Sequence, residues 1–268
     1  MRLKEYAALL IAASVASAVP EYVPIQEKAQ GQSLTGASLA NDSVFSNPAS
    51  SAFVNTYSLQ GDFLFPRSFA LSVIDTRTTS VAGGAAYYRR IIDGAARPLQ
   101  GGRLGLSGRL SNMVGVGVMG KTVWGPTADL KGEDHMNDVD AGVLANFGIV
   151  QAGATLRNLL GGSRTMGYDR EMAVGGRINY QGVMYFSASA IAKTSEVSPY
   201  QYGFGAEYVS PYYLSVKGGF RTQPYTAQSY WSFGASFLSP MMSLHYALEK
   251  ATFGEGKIEH VFGCSMML

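Results

Sequence analysis

From about Ser51 to the C-terminus, apolar residues recur at every second position. Tyr200, Tyr202, Phe204, Ala206 and Tyr208 alternate with Gln201, Gly203, Gly205 and Glu207, and Trp231, Phe233, Ala235 and Phe237 alternate with Ser232, Gly234 and Ser236. Successive side chains of a strand point to opposite faces, so each segment has one greasy face and one polar or tiny face. Leu104, Leu106 and Leu110 stand in the same way against Arg103, Ser107 and Arg109, as do Leu214, Val216 and Phe220 against Ser215, Lys217 and Arg221. No sustained helical periodicity occurs in this region. The pattern predicts about fourteen strands, at 53–65, 67–76, 80–92, 102–111, 113–123, 139–147, 149–157, 170–180, 182–192, 200–209, 211–221, 229–238, 240–249 and 258–268. Most are about 10 residues long, the length a tilted strand needs to cross a hydrocarbon layer.

The connectors carry a second signal. From the third onward they alternate between long (93–101, 124–138, 158–169, 193–199, 222–228, 250–257) and very short, at Asn112, Gly148, Gln181, Ser210 and Ser239. Transmembrane barrels have long outer loops and tight periplasmic turns. With an even strand number and both ends in the periplasm, every long connector falls on the outer side, and only the hairpin around Pro66 is short there. A soluble sandwich has no reason to sort its loops this way.

The first residues agree with export. Arg2 and Lys4 precede an apolar run from Ala7 to Val15, followed by Ala16-Ser17-Ala18, the three-part form of a secretory signal peptide with its cut after Ala18. The run is too short to span a membrane, and no later 18-residue apolar stretch exists. The expected organisation is a signal peptide at 1–18, an N-terminal segment at 19–51, which the resemblance given below makes a hatch, and an outer-membrane β-barrel at 52–268.

Composition then changes meaning. Only 15% of residues are charged, against about 25% in an ordinary soluble protein. A lipid-facing charge costs roughly 2–4 kcal/mol at the bilayer midplane, and the strand charges fall mostly on the other face: Asp62, Arg103, Arg109, Lys121, Asp140, Arg157, Glu171, Arg177, Glu207, Lys217, Arg221 and Glu249. Both signs are present, so these residues either pair across the lumen or line an open pore. The candidate lumen residues are Arg177, Glu207, Lys217, Arg221, His245 and Glu249. Phe262, Cys264, Met266 and Leu268 alternate to the last residue, as a strand closing onto the first would. A net charge of +2 without a basic run argues against nucleic acid as a partner.

Before the first strand, small residues lead into Asn47-Pro48-Ala49. This stretch resembles the N-terminal hatch of the outer-membrane long-chain fatty acid transporter superfamily, especially its smaller PorV-like members. Leu156-Arg157-Asn158-Leu159, Gly205-Ala206-Glu207-Tyr208, Lys217-Gly218-Gly219-Phe220-Arg221 and Tyr246-Ala247-Leu248 look like later pieces of that group. The resemblance implies an all-β, fourteen-stranded transmembrane barrel, integral in the outer membrane of a Gram-negative bacterium, with its N-terminal segment in the lumen and hatch residues at Asn41, Asp42, Asn47 and Pro48. It also implies passage of hydrophobic or small amphiphilic solutes, or an adaptor barrel that binds envelope or secretion proteins. The expected partners are outer-membrane lipid, a hydrophobic small molecule and an envelope protein. No cofactor is expected.

Two motifs point elsewhere. Gly115 to Thr122 fits the phosphate-loop spacing G-x-x-x-x-G-K-[ST], which requires a strand-to-helix turn. Here Val and Gly alternate as in a strand, and Gly125-Pro126 follow where a helix would continue. His135, His245 and His260 lack metal-ligand spacing. His135 lies in an expected acidic outer loop with Asp129, Glu133, Asp134 and Asp138, which is either a weak cation site or a solvated loop. His245 is the one candidate base for a barrel hydrolase, but no nucleophile is identifiable from spacing, and the chain is read as a non-enzyme.

Overall fold

The computed structural model describes residues 21–65, 67–195, 198–252 and 258–268. The expected signal peptide lies outside the described residues. Fourteen antiparallel strands form one closed sheet: β1 (Tyr57–Leu64), β2 (Ser68–Asp75), β3 (Val81–Arg90), β4 (Leu99–Arg109), β5 (Val114–Pro126), β6 (Glu133–Asn146), β7 (Val150–Arg157), β8 (Glu171–Tyr180), β9 (Met184–Lys193), β10 (Gln201–Val209), β11 (Leu214–Gln223), β12 (Gln228–Leu238), β13 (Met242–Ala251) and β14 (Glu259–Met267). Each strand pairs with its sequence neighbours. β14 closes on β1 from Met267 opposite Ser58 to Phe262 opposite Phe63. Closure removes the sheet edge, so backbone polar groups are satisfied without water, as a bilayer requires.

The faces are sorted as the alternation requires. Leu104, Leu106, Trp231, Phe204 and Phe262 are exposed on the outside. Their strand neighbours Arg103, Ser107, Ser232 and Gly263 point into the lumen and are buried or nearly so. An outer surface of Leu, Val, Phe and Trp on a closed sheet is a lipid-facing surface, and the chain is an integral outer-membrane barrel. No helix among the described residues is long and apolar enough to cross a membrane.

Three boundaries differ from the sequence reading. β1 begins at Tyr57 and not near 53, because Pro48–Phe53 forms a 3-10 turn opened by Asn47 and Pro48. That local turn chemistry outcompetes the apolar alternation. The expected loop 124–138 shrinks to 127–132, because β5 and β6 stay paired as far as Pro126 opposite Glu133. Glu133, Asp134, His135 and Asp138 are therefore strand residues, not members of an acidic loop. Finally, the turns centred on Asn112, Gly148, Gln181, Ser210 and Ser239 span 110–113, 147–149, 181–183, 210–213 and 239–241. At 181–183, Gln181 and Gly182 both take positive φ and the Asn179 side chain accepts the Gly182 amide at 2.7 Å, which sets a tight hairpin.

Inside the barrel lies the segment from Glu21 to Val54. It contains one helical turn, α1 (Ile25–Ala29), and two 3-10 turns, Ala40–Val44 and Pro48–Phe53. Nearly all of it is buried. Gly115 to Thr122, the phosphate-loop look-alike, is the middle of β5. Its glycines make room for this plug: a Cβ at Gly117 would lie 2.6 Å from the carbonyl carbon of Pro48.

Candidate functional site in the barrel lumen

The plug follows a track of wall residues that have no side chain. A Cβ at Gly142 would strike the Asn47 side chain, one at Gly175 would meet Gly36, one at Gly203 would meet Gly31, and one at Gly219 would meet the Gly31 amide at 2.2 Å. Except at Gly142, where the neighbour is a side chain, these close approaches are between backbones, so the glycines act here through missing volume.

The four hatch residues expected from the resemblance all sit in this interface. Asn47 accepts the Ala49 amide through its side-chain oxygen at 3.0 Å, which caps the Pro48–Phe53 turn, and donates through Nδ2 to the carbonyl of Val143 on β6 at 3.2 Å. Pro48 occupies the first position of that turn, where its missing N–H costs nothing. Asn41 donates to the Ser72 carbonyl of β2 at 3.1 Å and to the Ser58 carbonyl of β1 at 3.3 Å. Asp42 accepts from Gln60 of β1 at 3.2 Å and from the amide of Glu27 at 3.2 Å.

Five of the six candidate lumen residues form two ion-pair groups on the β8 to β13 side, and His245 lies beside them. Glu207 bridges Arg177 at 2.7 Å and Lys217 at 3.3 Å. Glu249 takes Arg221 at 3.0 Å and reaches Lys28 of the plug at 3.9 Å, and Lys28 is held by Glu259 at 2.5 Å. The guanidinium groups of Arg177 and Arg221 each lie 3.9 Å from a ring centroid, of Tyr185 and Tyr230 respectively. Of the two arrangements open to the sequence, pairing is the one present. His245 is enclosed by hydroxyls and the plug: Ser236 lies 2.9 Å from Nδ1, Ser265 lies 3.3 Å from Nε2, and Gln26 lies 3.3 Å from Nδ1. No carboxylate contacts the ring among the described residues.

Sequence reasoning missed a third ionic group. Glu21, at the start of the described plug, binds Arg103 and binds Lys121 at 2.8 Å, and both cations also contact Asp140, at 3.3 and 3.0 Å. Burial by itself would raise the Glu21 carboxyl, but Lys121 and Arg103 overcome it and bring the pKa to about 2. The signal was Lys121 and Asp140 on one face of neighbouring strands, with an acid, Glu21, ahead of the barrel.

Also missed was a buried apolar cluster in the outer half of the lumen. It combines Tyr22, Val44 and Phe45 of the plug with Ala70, Ile74, Ala86, Tyr88, Leu99, Met119, Val123 and Met136 of β2 to β6. Met166 and Tyr168 descend onto it from the connector between β7 and β8. The rings of Tyr22 and Phe45 lie 5.0 Å apart, and Tyr22 stacks on Tyr88 at 5.8 Å. The descending connector is tied to β6 by aspartates: Asp140 accepts the Asn158 amide at 2.9 Å, and Asp138 accepts those of Leu160 at 2.9 Å and Gly162 at 2.8 Å. Asp134 accepts the Ser163 hydroxyl at 3.1 Å. Of the acids read as a solvated or cation-binding loop, Asp134 and Asp138 are thus loop anchors, Asp129 bonds within its own turn and Glu133 pairs with Arg97 at 3.0 Å, and no group of three or more His, Cys, Asp or Glu suited to a metal occurs among the described residues.

With this geometry in place, the comparisons with known proteins can be set beside it. No family model matches the sequence, and no curated protein matches it. Solved structures do. The Pseudomonas putida toluene transporter TodX aligns over 94% of this chain and 99% of its own, with a TM-score of 0.66 at 10% identity. The CymD monoaromatic hydrocarbon channel aligns over 90% of this chain and 97% of its own, with a TM-score of 0.66 at 10% identity. A Pseudomonas aeruginosa FadL homologue aligns over 93% and 98%, with a TM-score of 0.55 at 12% identity. The likeness is one of fold. This chain shares their fold over nearly its whole length.

Proposed function

We propose that this barrel passes small hydrophobic or amphiphilic solutes across the outer membrane, as a member of the fatty acid transporter superfamily. The observation that carries the reading is the apolar cluster between the plug and β2 to β6. The opposite wall holds the plug mainly with ion pairs, hydroxyls and glycines. The lumen devotes three methionines, Met119, Met136 and Met166, to its outer half. Methionine is flexible and polarisable, so it adapts to varied apolar shapes. Names borne by the neighbours, a toluene transporter and a monoaromatic hydrocarbon channel, support the same solute class. The adaptor reading gains no such support from these structures.

The plug is then the gate. Proteoliposome uptake of toluene, measured beside a hydrophilic sugar, tests both parts. Deletion of Gln32–Pro48 is expected to raise solute passage, and Met136→Asp, which places a charge in the apolar cluster, to lower toluene uptake about tenfold, equivalent to about 1.4 kcal/mol. Unchanged uptake in both variants contradicts the proposal.

A further inference from the structure

Where the plug meets β1, three carboxylates converge, and no cation among the described residues pairs with them. Asp62 projects inward from β1, Asp42 comes from the first 3-10 turn and Glu27 from α1, and all three are buried. Gln60 joins two of them, donating to Asp42 at 3.2 Å and to Asp62 at 3.1 Å. Asp62 also accepts the Tyr22 hydroxyl at 2.8 Å and the Ile25 amide at 3.2 Å. Asp42 accepts the Glu27 amide, and Glu27 accepts hydroxyls from Thr35 at 2.8 Å and from Ser46. Every one of these donors is neutral, and the ion pairs of the lumen among the described residues lie elsewhere.

The charged groups that face this junction are already engaged or distant. Arg157 of β7 acts on Glu27 but pairs with Glu171 at 3.9 Å. Lys217 of β11 acts on Asp42 but is bound to Glu207. Arg90 of β3 acts on Tyr22, and Lys28 of α1 is taken by Glu249 and Glu259. Buried like charges without a counter-ion cannot all remain ionised.

We propose that Asp42 and Asp62, packed beside Glu27, form a proton-held latch: the plug docks on β1 with at least one proton held between these two aspartates, and releases when that proton is lost. The latch concerns docking alone and stands whether or not the lumen passes a solute. Burial, then the fields of Asp62 and Glu27, push the Asp42 carboxyl well above its ordinary value of 3.8. The docked state therefore binds more protons than the released state. Docking free energy from this group is complete below 3.8 and is lost as pH rises through the elevated value. Glu21 has the opposite sign, since its docked value of about 2 lies below its ordinary 4.5. Its contribution is complete above 4.5 and is lost as pH falls towards 2. The plug is thus pinned at one end by acid-sensitive ion pairs and at the other by an alkali-sensitive latch.

The test is hydrogen exchange of the full chain in detergent micelles, comparing amides of residues 22–47 with wall amides between about pH 5 and pH 9 and correcting for the intrinsic pH dependence of exchange. Between 3.8 and the elevated docked value, undocking releases one proton and becomes about tenfold more favourable per pH unit. Plug protection is expected to fall by that slope while wall protection holds. Asp42→Asn and Asp62→Asn, each nearly isosteric, are expected to flatten the slope, and either suffices if the other does not fold. A wild-type plug with no pH dependence, a slope that survives both substitutions, or plug and wall losing protection together overturns the latch.

Discussion

The two walls of the lumen differ in what they do for the plug. The β8 to β13 wall offers paired charges, hydroxyls and glycines: Arg177, Glu207 and Lys217 satisfy one another, and Gly203 and Gly219 let the plug backbone lie directly on the sheet. The β2 to β6 wall offers Ile74, Tyr88, Leu99, Val123 and Met136, which meet Tyr22, Val44 and Phe45 of the plug. Glycines fit the plug backbone on both walls, at Gly117 and Gly142 as at Gly203 and Gly219, but the β2 to β6 wall adds a large apolar surface that any hydrophobic group of suitable size can share. Binding chemistry that must be precise sits on the first, and binding chemistry that must be permissive sits on the second.

The comparison can be broken most strongly at the socket. Glu207→Ala leaves Arg177 and Lys217 facing each other without their shared carboxylate, and removing one partner of a buried pair costs about 3–5 kcal/mol. Denaturant titration followed by heat-modifiable gel migration should show the loss, and a change below about 1 kcal/mol would mean that the lumen is wetter than the structure makes it. Gly219→Val tests the missing-volume argument more selectively. It sets a side chain against the Gly31 amide and the Gln30 carbonyl carbon, an overpacking worth about 1–3 kcal/mol that should fall on plug docking. Single-channel conductance is expected to rise while barrel migration stays unchanged. The smallest effect is Asn47→Ala, which removes a cap worth about 1 kcal/mol together with the bond to the Val143 carbonyl. Faster exchange of the Ala49 and Ser50 amides reads it out, and the two walls should be otherwise unaffected.

Much of the barrel was legible because a strand buried on one face writes period two into its sequence. Trp231 to Phe237 and Leu104 to Leu110 could be assigned to lipid without any structure, and so could the long outer loops. The plug was only partly legible. Asn47-Pro48 carries turn chemistry that stops a strand, yet Phe53 and Val54 extend the alternation and draw the expected β1 four residues too early. β5 and β6 ran past their expected ends because strands that leave the bilayer need no apolar face, so Thr127 to Gly132 alone remains a turn. The apolar cluster was invisible for a different reason. Its members come from the plug, five strands and a loop, and on each strand they occupy the lumen face, where polarity was expected. Pairing among Arg177, Glu207, Lys217, Arg221 and Glu249 follows from register, which alternation does not supply.

The division of the lumen is tested most directly by a photoactivatable aromatic solute, cross-linked to the full chain in liposomes and mapped by mass spectrometry. The account predicts adducts on Tyr88, Met119, Met136 and Met166 of the apolar half. Adducts confined to β8 to β13, around Lys217 and His245, would contradict it.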